Sequence, residues 1–120
     1  MDEFSALAPP APAEPPHSGF GIASFIIAIV AGLGAIFLIF LAGYLATANP
    51  GSMEDKSPTA VVVGLGIILA CGIHLIGAIL GIVGLIASGR KKVFAVLGLI
   101  FNGVGLLGII ALILFGLAMK

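Results

Sequence analysis

The chain has 120 residues, of which 61% are hydrophobic and 8% charged, with five basic and five acidic residues giving no formal net charge. A soluble domain carries roughly 25% charged residues, and one small core could not shelter this much apolar surface. The balance of charge leaves no basic field for nucleic acid, and the single cysteine, Cys71, excludes an internal disulfide.

Residues 1–18 are polar and proline-rich. Pro9, Pro12 and Pro15 recur at every third position, with Pro10 and Pro16 beside them. The spacing predicts a disordered or polyproline II tail. Two PxxP matches lie in it, but the flanking basic residue of an SH3-type ligand is missing, so a disordered spacer is expected. His17 is expected to be solvated. Asp2 and Glu3 stand where a signal peptide would carry Lys or Arg.

Three uncharged apolar runs follow, with spans at about 20–48, 60–88 and 93–119. Ser18 is the expected N-cap of the first, and Asn49-Pro50-Gly51 ends it. Ser57-Pro58 supplies a cap and a first-turn proline for the second, and Gly89 is its expected C′ residue. Each run holds 27 to 30 residues, against about 20 needed to cross the hydrocarbon core. Tilt or protruding ends would absorb the excess. The apolar residues do not alternate, which excludes a β-barrel reading. The expected fold class is therefore all-α integral membrane: a compact bundle of three transmembrane helices over residues 19–120.

Arg90, Lys91 and Lys92 fill the turn between the second and third spans. By the positive-inside rule that turn is cytoplasmic. Alternation then places the N-terminal tail inside, and the 49–59 loop with Lys56 outside together with Lys120. Tyr44 and Phe115 would lie near the outer interface, Phe20 and Phe94 near the inner one.

Most of the 18 glycines fall inside the spans. Glycine weakens helices in water, but in lipid small residues let helix backbones approach closely. In the second span Gly66, Ala70, His74, Gly77, Gly81, Gly84 and Ser88 step by three or four along one face, with a GxxxG at Gly77–Gly81. In the third, Ala95, Gly98, Asn102 and Gly105 share a face. In the first, Gly21, Ser24, Ala28, Ala31, Ala35 and Ala42 do. These faces predict helix packing within the bundle; the sharper alternative is a homo-oligomer or the docking of a membrane-protein partner. The short turn makes the second and third helices antiparallel neighbours.

His74 and Asn102 are the two strongly polar side chains singled out at membrane depth, where such groups are functional candidates. Counted from the basic turn, their levels differ by roughly 6 Å at about 1.5 Å per residue. A direct hydrogen bond is allowed with some helix offset and a water bridge is easier. A structural interhelical bond is the expected role; a proton-sensing or polar-pathway role is the alternative. One His and one Asn are too few good ligands for a metal. Cys71 lies one turn from His74, but a nucleophile pair there would lack oxyanion donors and substrate access. No catalytic residue, cofactor or small-molecule substrate is identified.

The run Gly77-Ala-Ile-Leu-Gly-Ile-Val-Gly-Leu-Ile-Ala, a basic turn, and then Ala95-Val-Leu-Gly-Leu-Ile-Phe-Asn102-Gly resembles a class of small Gly-rich bacterial membrane proteins catalogued as domains of unknown function. The resemblance covers roughly residues 18–119. Val93-Phe94 departs from it, standing where that class usually begins its last helix with glycine. It implies a bacterial inner-membrane location and no activity. The functions open at this point are a non-enzymatic structural, accessory or partner-binding protein, a transport or pore component using His74 and Asn102, and a holin-like lesion former.

Overall fold

A computed structural model describes residues 7–120; the first part of the Pro-rich tail lies outside the described residues. Three helices follow one another: α1 (Gly19–Ala48), α2 (Pro58–Ile86) and α3 (Val93–Ala118). Each is long and apolar enough to cross a membrane, and each packs against both of the others. The all-helical, three-span bundle expected from composition is the fold.

The ends form where local chemistry dictates. The Ser18 hydroxyl accepts from the Gly21 N–H at 3.3 Å, and the Ser57 hydroxyl from the Ala60 N–H at 3.1 Å. Both satisfy a first-turn donor that has no partner inside the helix. Pro58 occupies the first turn of α2, where its missing N–H is harmless. The loop between α1 and α2 bends at Gly51, φ +99°.

The second helix stops at Ile86, two residues before the expected limit. Ala87 is its cap, in an extended conformation. Gly89 adopts φ +69° inside the turn and is not the first residue past the cap. The reversal needs that left-handed residue at the turn's apex, so the helix unwinds ahead of it. Ser88 is therefore exposed and outside the helix, not part of its packing face.

The tail was expected to be free as far as residue 18, but its last residues are tied to the basic turn. The Lys91 N–H donates to the Pro16 carbonyl at 2.9 Å, and the Ser18 N–H to the Lys91 carbonyl at 3.3 Å. The His17 ring, although exposed, meets Phe94 edge-on with centroids 4.9 Å apart. Lys91 Nζ pairs with Glu14 Oε2 at 2.6 Å. The ion pair is exposed and adds little. The backbone pairing is what holds the start of α1 beside the start of α3.

The bundle is lined by small residues and coated by large ones. Gly21, Ser24, Ala28 and Ala31 of α1, Gly77, Gly81 and Gly84 of α2, and Ala95 and Gly98 of α3 are buried. Leucines, isoleucines and phenylalanines point outward along all three helices. That inversion suits lipid, which solvates aliphatic side chains as well as a core does and leaves close backbone contact as the source of association. At Gly21 the neighbour is backbone: a Cβ there would lie 2.7 Å from the Ala95 backbone nitrogen. Backbone cannot give way as a side-chain tip can. Gly21→Ala should therefore lower stability by about 1–3 kcal/mol, read as a lower thermal midpoint in detergent. Gly72, exposed and with nothing near its missing Cβ, is the control; Gly72→Ala should leave the midpoint unchanged or raise it slightly.

Candidate functional site: a polar knot and the cavity beside it

One hydroxyl, one imidazole and one carboxamide meet inside the bundle, one from each helix. Ser24 comes from α1, His74 from α2 and Asn102 from α3, and all are buried to 1% exposure or less. The two expected polar residues bond directly: His74 Nδ1 lies 3.0 Å from Asn102 Oδ1. A water bridge is not needed because α2 ends at Ile86. From that end His74 is twelve residues deep and Asn102 nine from the start of α3, a difference of about 4.5 Å in rise, which the side chains span.

The hydrogen-bond directions follow from donor and acceptor counts. Asn102 Nδ2 donates to the Gly98 carbonyl at 2.8 Å and to the Ser24 carbonyl at 3.0 Å, with Ser24 Oγ a further 3.3 Å contact. Two carbonyls fix the amide's nitrogen side, so its oxygen faces His74. An amide oxygen only accepts. His74 Nδ1 therefore carries the proton and donates. The Ser24 hydroxyl donates to the Gly77 carbonyl at 2.7 Å. Each pair of helices is thus joined by a hydrogen bond: α1 to α2 through Ser24, α3 to α1 through Asn102, and α2 to α3 through His74.

Each polar side chain sits where a facing glycine leaves room. A Cβ on Gly77 would fall 2.5 Å from the Asn102 amide, and one on Gly105 would fall 2.6 Å from His74 Cε1. A Cβ on Gly98 would collide with the Ser24 hydroxyl, and one on Gly81 would lie 2.9 Å from it. Sequence reading placed His74 and Asn102 on the small-residue faces; in the fold each fills the room left by a glycine on the facing helix. Ser24 was read only as a small residue of the first face. Its signal was available: it is the one hydroxyl in the first half of α1, on the same side as Gly21 and Ala28.

The remaining expected residues fall around this knot. Gly84 and Ala95 close against Gly21 below it, Gly66 lies under the Leu38 side chain, and Ala70 is buried one turn from His74. Cys71 is a half-buried free thiol. No group of metal-ligating side chains is found among the described residues. Arg90 and Lys92 are exposed on the turn.

One polar atom of the knot has no partner. His74 Nε2 is buried and makes no hydrogen bond. With the proton on Nδ1, this nitrogen presents a bare lone pair. His74 also lines a groove-like cavity of about 510 Å³ between α1 and α3, open on its outer side, whose walls include Ala28, Gly32, Ile36, Phe101 and Gly108. Gly105 lines it too, and the Cβ it lacks would lie 2.7 Å from Nε2. His74 is the only polar side chain on the lining.

Removing the hub should cost more than removing a spoke. Asn102→Ala leaves the His74 N–H unpaired in a dry site, which costs about 1–3 kcal/mol besides the lost bonds. Ser24→Ala removes one interhelical donor and should cost about 0.6–1.7 kcal/mol. Detergent melting of both variants, measured against the unsubstituted chain, checks the order; equal losses would contradict the hub assignment.

Comparison with family models, curated proteins and solved structures finds no match to this chain.

Proposed function

We propose that this is a non-enzymatic accessory protein of a bacterial cytoplasmic membrane, with its N-terminus and basic turn inside, that binds a membrane partner through the open half of its bundle. The observation that carries the reading is the contrast between the two halves. On the basic-turn side the small faces already pack against one another. The buried residues of α1 end at Ala31, and from Ile110 onward every residue of α3 is exposed. Gly77, Gly81, Gly84 and Gly98 are engaged inside the bundle, which leaves them nothing to offer a second chain. Phe37, Phe40 and Phe115 stand out on the open half, and aromatic side chains are favoured anchors at interfaces.

A transport role draws no support from the cavity, whose lining beyond His74 is aliphatic and aromatic. Ser24 and Asn102 are closed off by the helices they join. The cytoplasmic placement of the turn rests on Arg90, Lys91 and Lys92, against Lys56 and Lys120 on the other side.

Photo-reactive residues at positions 40 and 115, with position 76 on α2 as an exposed control, test the partner surface in native membranes. A discrete protein adduct at 40 and 115, absent at 76, is expected; lipid adducts alone at all three positions would overturn the reading. Orientation has its own test in a Cys71→Ala background. Lys56→Cys should react with an impermeant maleimide added outside intact cells, and Lys92→Cys only after permeabilisation. Lys92 is the better reporter because Lys91 is held by the tail.

A further inference from the structure

The polar knot leaves an unused acceptor beside an apolar cavity, and that pairing specifies a ligand. We propose that the cavity between α1 and α3 binds a lipophilic molecule bearing a single hydroxyl, an aliphatic alcohol or a phenol, whose O–H donates to His74 Nε2. The site is separate from the open-half surface and does not depend on it.

Three observations converge. His74 is 1% exposed and its Nε2 has no partner. Such an orphan is costly in a native interior, more so where no solvent reaches it. The hydrogen bond at Nδ1 fixes the tautomer, so the free nitrogen is an acceptor and calls for a donor. The volume, about 510 Å³, lies within the range of small-molecule sites, which combine apolar walls with a few placed polar groups.

The same facts select against other occupants. Ordered water needs two to four polar partners, and the lining offers one. An acyl chain would fill the apolar space but donate nothing to Nε2. A hydroxyl on an apolar body satisfies both requirements at once. The cavity is built by absent side chains: Gly32, Gly105 and Gly108 all line it. Nothing lies within 4 Å of the Cβ positions at Gly32 and Gly108. Gly105 is different, because a Cβ there would strike the imidazole ring. Glycine at 105 thus keeps the ring position and sets no side chain against Nε2, so that only a small shift of the wall separates this buried atom from the groove.

The test uses the full chain in micelles with 15N-labelled histidine, which gives signals only from His17 and His74. The probes are 1-decanol and 4-octylphenol, each compared with its methyl ether, which keeps the shape and removes the donor. Saturable movement of the His74 Nε2 signal is expected with at least one hydroxyl probe, and about tenfold weaker binding with its ether. Response to the alcohol alone or the phenol alone supports the proposal and names the source. Gly108→Leu should abolish the response while leaving the Nδ1 signal, and hence the bond to Asn102, in place. Equal response to alcohol and ether, a change that only grows linearly with probe, no change at all, or a full response in Gly108→Leu would each overturn it. So would an Nε2 signal that depends on protein concentration without probe, since that assigns the space to a second copy of the chain.

Discussion

A carboxamide inside a membrane has two N–H donors and an oxygen acceptor, with no water to satisfy them. Asn102 meets that demand by drawing on all three helices: the carbonyl of Ser24 on α1, the imidazole of His74 on α2, and the carbonyl of Gly98 on its own helix. Those partners are within reach only if the helix axes come unusually close. The demand of one side chain therefore sets the distance between helices. The glycines at 77, 81, 84, 98 and 105 are the way the sequence meets that distance.

Glycine and polar residues thus act together, and neither alone would specify the bundle. Close-packed glycine faces gain contact energy, but a featureless face can slide by a turn with little penalty. Three hydrogen-bonded residues fix the register, because a slip of one turn would leave each donor against an aliphatic wall. At the basic-turn end the backbone pairing of Pro16 and Ser18 with Lys91 adds a second constraint. It places the starts of α1 and α3 side by side, so the two parallel helices enter the membrane already aligned.

The sequence made the spans legible because lipid imposes so strict a rule on composition. Uncharged runs of this length have one outcome, and their caps at Ser18 and Ser57 could be read residue by residue. The packing faces were legible by the same logic, since small residues at helical spacing have no other common use. What sequence reasoning missed was relational. Ser24 reads as one more small residue until a facing glycine and the Gly77 carbonyl are placed beside it. The early end of α2 depends on where the turn needs its left-handed residue, and the tail's pairing with Lys91 is a contact between segments far apart in the chain.

The cavity follows from the same geometry that makes the knot. Helices drawn together at Ser24, Asn102 and Gly21 must separate elsewhere if their large side chains are to face lipid, and α1 and α3 part just beyond His74. At that point Gly32, Gly105 and Gly108 supply no side chains to fill the gap. A bundle selected only for stability would place leucine or isoleucine at 108, where a Cβ meets nothing, and would gain helix propensity and packing together. It would also put an apolar group against His74, or replace the imidazole whose second nitrogen has no partner. The chain does neither. A groove walled by glycine and an unpaired acceptor, side by side and each removable by a single substitution, share one explanation in a molecule that enters from the membrane.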